Sequence, residues 1–257
     1  MSMITRTSDR NDLPDEPPIR RVFRDVITDR LKEPRPPQAA MLFQSSVDPF
    51  WTADSFFLAD FYSEILHQGT CLPNTADGVP LLAALAIDDR VPPRERFRVI
   101  SLMFSIATVA DRHLAEYWPD TPPYADPGNE NRAREAVRSC TPDLLARWAP
   151  ACPAVRLALA GLAVVFPTAR TLPALTPRLE GFVEQHPPGT DIGDYVRLIL
   201  VLAAENDART LTTVESFTTT AWEGTPRGAP ASARTLHLLG QMLNRVGTGL
   251  TRSHPGE

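Results

Sequence analysis

The sequence predicts an all-α protein, an α-solenoid of about four to five stacked helical hairpins behind a disordered N-terminal arm. Three observations predict it. Apolar residues recur at helical spacing almost throughout residues 39–252, with no run of alternating β-branched residues to compete. The chain has 26 prolines and only 13 glycines, which reads as stiff breaks between helices rather than flexible linkers. Finally, an arginine marks four strongly apolar segments: FRVISLMFSI at Arg98, VRLALAGLAV at Arg156, VRLILVLAAE at Arg197 and ARTLHLLGQM at Arg234.

The elements follow in order. Residues 1–38 are polar, charged and proline-punctuated, too poor in apolar surface to offset the entropy of ordering. One amphipathic stretch, Ile19 to Leu31, interrupts them and could dock on the body or on a partner. Asp54 to Gln68 places Phe57, Leu58, Phe61, Ile65 and Leu66 on one helical face, with Gly69 as its stop. Ahead of each arginine-marked helix lies a partner helix: Ala76–Ile87, Arg132–Trp148, Leu172–Glu184 and Leu211–Trp222. Two of these begin or restart with matching phrases, Pro80 to Leu82 and Pro142 to Leu145, and proline fits a first helical turn, where its missing N–H costs nothing. Each marked helix follows a break containing Pro, Gly or Asp, and each is apolar most of the way round. Such a helix needs cover on several sides, which stacked hairpins provide.

The marker arginines are 58, 41 and 37 residues apart. The last two intervals are close to one hairpin of the HEAT and armadillo class, about 40 residues. The first is longer because Trp118 to Asn131 (WPDTPPYADPGNEN) reads as an inserted loop. Within residues 50–110, His67, Gln68, Gly69 and Thr70 are followed by Thr75, Pro80 and Leu81. This phrase resembles a stretch of many actinobacterial HEAT-repeat-like proteins, in which a His-Gln-Gly-Thr turn precedes a Pro-aliphatic helix. Here Cys71, Leu72, Pro73 and Asn74 stand where that family more often has an aromatic and a small residue. The resemblance implies an α-solenoid and leaves function open.

A net charge of −5 gives no electrostatic case for nucleic acid or an anionic membrane. Nearly all the positive charge is arginine, Lys32 being the single lysine. The three cysteines, Cys71, Cys140 and Cys152, are widely spaced with no C-x-x-C, and read as thiols of a reducing compartment. The N-terminus carries no secretory pattern and no window is apolar enough to span a membrane, so a cytoplasmic location is expected.

Several residue groups could carry function. The four marker arginines could form a ladder to neighbouring hairpins, or a cationic row that binds a partner. The His67-Gln68-Gly69-Thr70 turn could fix a hairpin, or place His67 and Thr70, with Tyr62, beside a pocket. Asp111, His113, Glu116 and Tyr117 read as a solvated helix end, since neither paired histidines nor zinc spacing is present. Trp51, Trp118, Trp148 and Trp222 lie near helix ends and could cover hairpin tips or anchor a partner.

No phosphate loop, dinucleotide fingerprint, metalloprotease motif or nucleophile elbow occurs, so no cofactor and no metal is expected. The leading expectation is a non-enzymatic solenoid that binds a protein or peptide on its concave face, with Trp51, Gln68 and the four arginines as contacts. A second reading looks to the HEAT-like alkylpurine DNA glycosylases, with Trp118 and Asp120 as the nearest echo of their Trp and Asp. The acidic balance disfavours it. A third is a tailoring enzyme with a pocket at the His-Gln-Gly-Thr turn.

Overall fold

The computed structural model describes residues 18–36, 40–41, 63, 65–67, 69–168, 170–204, 207–218 and 226–253. Among these, ten α-helices and one minimal β-hairpin account for the regular structure. The protein is all-α in class.

Of the two docking sites the sequence leaves open for its amphipathic stretch, the first helix takes the body. α1 (Pro18–Leu31) belongs to the body: Ile19, Val22, Phe23 and Ile27 are almost wholly buried. Their spacing puts them on one face, which packs against α2 (Thr75–Ile87). Asp25 meets Arg90 at 2.8 Å across the seam, an exposed pair that contributes little. Within the expected arm, the described residues 18–36 carry α1 and the turn that follows it. Residues 1–17 lie outside the described residues.

A correction concerns the segment before α2. The expected helix does not run through to Gln68. Leu66–His67 (β1) and Thr70–Cys71 (β2) instead form an antiparallel pair, with Leu66 opposite Cys71 and His67 opposite Thr70. Gly69 sits at φ 80°, in the left-handed region that a tight reversal needs and that only glycine adopts freely. Thr75 closes the base. Its hydroxyl donates to the Ile65 carbonyl and accepts from Leu72 N at 2.7 Å.

From here the chain forms helical hairpins. α2 is followed by α3 (Pro93–Ala107), and after a break at Thr108 by a short extra helix, α4 (Val109–Tyr117). α5 (Pro127–Ala146) pairs with α6 (Pro153–Val165), α7 (Thr171–Gln185) with α8 (Asp191–Ala203), and α9 (Asp207–Thr218) with α10 (Ala231–Ser253). α3, α5 and α6 each open with proline in the first turn. The long first arginine interval is only partly loop. It holds α4, and α5 begins at Pro127 rather than Arg132 because Asp126 caps it, accepting from Asn129 N at 3.0 Å.

The marked helices α3, α6, α8 and α10 lie inside. α6 is the central one, in contact with α3, α5, α7, α8 and α10. Its residues Leu157 to Ala163 are all buried, as expected for a helix apolar all round. Gly161 gives room for the Tyr195 ring from α8: a Cβ there would stand 2.6 Å from Tyr195 Oη. Tyr195 is wholly buried and donates to the Leu157 carbonyl at 2.9 Å.

The last helix reaches well beyond its neighbours in sequence. α10 packs not only on α8 and α9 but also on α3, α4 and α6. Two glycines allow this approach. A Cβ at Gly247 would meet the Phe97 ring at 2.6 Å, and one at Gly240 the Phe104 ring at 3.3 Å. Both pairs are seven residues apart on their helices, so α3 and α10 meet along one stripe of bulky rings against small residues.

Candidate functional site

The closure of α10 onto α3 and α4 leaves a cleft of about 500 Å³ between the three helices. That lies within the usual range for ligand pockets, about 300–1,000 Å³. Phe104 and Leu236 supply apolar surface, and Arg112, Glu116, His237, Gln241 and Asn244 supply the polar side chains. Helical spacing explains the set. Arg112 and Glu116 are four apart on α4, while His237, Gln241 and Asn244 stand at i, i+4 and i+7 on α10. The apolar face of α10, with Leu239, Met242, Leu243 and Val246, is buried.

Arg112, Glu116, His237 and Gln241 are each held by a neighbour. Arg112 donates through Nη2 to the Gly69 carbonyl of the β-hairpin turn, which leaves most of its five donors for other partners. Glu116 Oε1 lies 3.5 Å from His237 Nδ1, and Gln241 Nε2 lies 2.7 Å from His237 Nε2. The imidazole thus spans a carboxylate on α4 and an amide on its own helix. The Ser105 and Thr108 hydroxyls, also on the cleft wall, donate back to Ser101 O at 3.1 Å and Phe104 O at 2.9 Å.

Behind α4 lies a buried polar layer. His113 Nδ1 is 3.1 Å from Glu130 Oε1 of α5, both side chains about nineteen-twentieths covered. Neither atom completes a well-angled hydrogen bond, so the contact is largely electrostatic. Burial holds the His113 pKa below its ordinary value, with Glu130 opposing. Asp111 is pushed up by burial, partly offset by Arg134 at 3.0 Å. Burial, helped by Glu130, drives the Cys71 thiol up to about 12. The cluster around His113 is therefore not a solvated helix end. Of its four members only Glu116 and Tyr117 are exposed.

Large aromatic side chains are exposed at the end of α4 and just beyond it. Tyr117, Trp118 and Tyr124 are exposed, as is Leu114. Tyr124 and Tyr117 share a 2.6 Å hydrogen bond between hydroxyls, with their rings nearly perpendicular. A Cβ at Gly228 would lie 3.1 Å from the Trp118 indole nitrogen, and Pro226, two residues earlier, lines the cleft. A second cleft, about 400 Å³, lies among α7, α8 and α9, lined by Val183, His186, Leu200, Val201, Arg197 and Arg209 among others.

The marker arginines stand fourth to seventh in their helices, and Arg98, Arg156 and Arg197 each have a different kind of partner. Arg98 pairs with Glu95 of its own helix at 3.1 Å. Arg156 donates to Trp148 O at 3.2 Å and Ala149 O at 2.9 Å, satisfying carbonyls at the end of α5. Arg197 lies over the Phe217 ring at 5.4 Å, and Arg234 is buried. None of the four lines the α3–α4–α10 cleft, and Arg197 alone lines the other.

Thr70 is half-buried in β2. Of His67 only the backbone is described; Trp51, Tyr62, Gln68 and Trp222 lie outside the described residues. Trp148 is buried beneath Arg178, whose guanidinium carbon is 5.2 Å from the ring centroid.

Sequence reading missed His237, Gln241 and Asn244. Their signal was a polar stripe at i, i+4 and i+7 along an amphipathic helix. Among the described residues no group of three or more His, Cys, Asp or Glu is placed to hold a metal ion, and no helix is long and apolar enough to cross a membrane. No protein-family model matches this chain, and no curated protein or solved structure matches it either.

Proposed function

We propose that this protein is a non-enzymatic helical binding protein that engages a peptide in the cleft between α3, α4 and α10. The fold belongs to this reading as a HEAT-like array of hairpins, similar to the actinobacterial HEAT-repeat-like proteins, whose last hairpin closes on the first. The single observation that carries the reading is the mixed character of the cleft wall. Arg112 and the two amides can donate, Glu116 and the amides can accept, and Phe104 and Leu236 offer apolar surface beside them. A peptide presents the same mixture, alternating amides with apolar side chains. The exposed Tyr117, Trp118 and Tyr124 add large, stiff contact surface of the kind that anchors partners.

Nucleic acid is the poorer occupant, because Glu116 stands on the wall where a phosphate backbone would run. A nucleophilic enzyme is also poorer. The cleft hydroxyls of Ser105 and Thr108 donate to carbonyls of their own helix, and His237 Nε2 faces Gln241.

The test is a soluble peptide library running from dipeptides to octapeptides, screened by affinity selection and followed by calorimetry on the peptides retained. Retained peptides should lose at least tenfold in affinity against Asn244→Ala and His237→Ala. Retention of no peptide, or binding indifferent to both substitutions, overturns the reading.

A further inference from the structure

Arg112 differs from arginines of the neighbouring helices in what holds it. Arg98 on α3 meets Glu95 at 3.1 Å, and Arg134 on α5 meets Asp111 at 3.0 Å. Arg112, half-buried on the cleft wall, makes no ion pair among the described residues. Its hydrogen-bond partner is a neutral group, the Gly69 carbonyl. Glu116, one turn further along α4, would ordinarily pair with it, but meets His237 at 3.5 Å instead.

A guanidinium stays charged throughout the working pH range, and drawing it out of water without an opposite charge costs free energy. One carbonyl offsets part of that cost and occupies one of its N–H donors. The cleft wall therefore carries a positive charge that an anionic group would satisfy.

The β-hairpin builds the seat for this charge. Gly69 stands at φ 80° in the turn between β1 and β2. A Cβ there would lie 2.6 Å from Arg112 Nη2, 3.0 Å from Cζ and 3.1 Å from Nη1. The guanidinium thus lies against the bare Cα of the glycine, and a side chain at position 69 would push it away. The atoms in the way are the far end of a flexible side chain, so the arginine would move rather than the turn. One glycine permits the reversal and also admits the guanidinium.

We infer that the cleft selects its peptides by a carboxylate bound on Arg112, with Gly69 as the positioning residue that seats the guanidinium. This rests on the peptide reading above and adds the chemical group that the peptide must carry. A carboxylate presents two acceptor oxygens to the parallel N–H groups of a guanidinium. An Asp or Glu side chain supplies it, or a free C-terminus, by the same chemistry. Glu116 on the same wall favours this single charge over a phosphate, whose further charge it would repel.

The experiment repeats the peptide selection on the full chain with the library in two forms, ending in a carboxylate or in an amide. Each retained peptide is titrated calorimetrically beside neutral versions of itself, with the C-terminus amidated, or with Asp and Glu replaced by Asn and Gln. At least one of these changes should weaken binding about tenfold or more, because a charged hydrogen bond is lost and a guanidinium is left facing a neutral group. Loss on amidation identifies the C-terminus as the source of the carboxylate, and loss on Asn or Gln replacement identifies the side chain.

Gly69→Asn brings in a residue that tolerates positive φ but adds the Cβ. It should erase most of the preference while leaving affinity for the neutral versions unchanged. A turn with only a folding role would weaken charged and neutral peptides alike. Arg112→Gln should erase the preference too; where that variant fails to fold, Gly69→Asn carries the test. The inference is overturned if the neutral versions bind as tightly as their charged parents, or if Gly69→Asn leaves the preference intact or lowers both affinities equally. In those cases the retained peptides still support the broader peptide reading. If neither library yields a peptide, both fail.

Discussion

The two clefts are made by helices that pack on the same central helix, α6, yet they differ in the way their walls are made. The α7–α8–α9 cleft is built from consecutive helices, and Arg197 and Arg209 are the arginines on its wall. Arg197 is drawn onto the Phe217 ring, so its charge serves local packing. The α3–α4–α10 cleft joins elements more than a hundred residues apart, and it holds both signs of charge within one wall. The difference teaches where function can accumulate in such a fold. Neighbouring hairpins must meet to bury their apolar faces, so the cleft between them follows from packing. A contact between the first and last hairpins is an addition, and what lines it is free to be chemistry.

The sharpest way to break this comparison is to remove what both clefts share. Leu162 in α6 is wholly buried, and Leu162→Ala should cost about 3 kcal/mol by the usual transfer and cavity terms. Denaturant unfolding should show that loss as a lower midpoint with no change of slope.

Gly247→Leu separates the clefts. It drives a side chain into Phe97 and should cost about 2 kcal/mol by overpacking. It should also abolish peptide binding, while amide exchange in α7 and α8 stays native. Equal loss of protection in both regions would show that the closure is not a separate feature.

Single cleft residues come next. His237→Ala should reduce peptide affinity about tenfold, or 1.4 kcal/mol, with the melting temperature unchanged within error. Arg197→Ala, its counterpart in the other cleft, should leave affinity untouched. Calorimetry on the two variants side by side reads this contrast directly.

The buried layer behind α4 gives a smaller, pH-dependent effect. Burial lowers the His113 pKa in the folded protein, so between the folded value and the ordinary one, about 6.5, the unfolded chain binds the extra proton. The sign follows. This contribution is complete above about pH 6.5 and is lost as pH falls toward the folded pKa, at up to about 1.4 kcal/mol per pH unit. The fall in stability between neutral and mildly acidic buffer should be shallower in His113→Gln. An identical fall would remove His113 as its source.

The smallest effect is expected at the rim of the second cleft. Val183 is half exposed, and Val183→Ser should change stability by less than about 0.5 kcal/mol and leave peptide binding alone.

The sequence alone determined the all-α class, the placing of α2, α3 and α6 to α10, and the apolar character that puts α6 inside. Those properties are local: a helical period, a proline in the first turn and a run of apolar residues act within a few turns of chain. Two local signals were present but outweighed. Asp126 before Pro127 marks the start of α5, and Gly69 marks a reversal that a helix stop also explains. The amphipathic α1 was legible as a docking helix, and the fold decided that it docks on the body. Only the tertiary structure decided that α10 returns to α3, that Glu116 meets His237, and that His113 is buried against Glu130. Contacts across such distances are set by which faces remain uncovered once every hairpin has packed. Gly240 and Gly247 show why: a small residue announces that something comes close, and the fold alone says that it is Phe104 and Phe97.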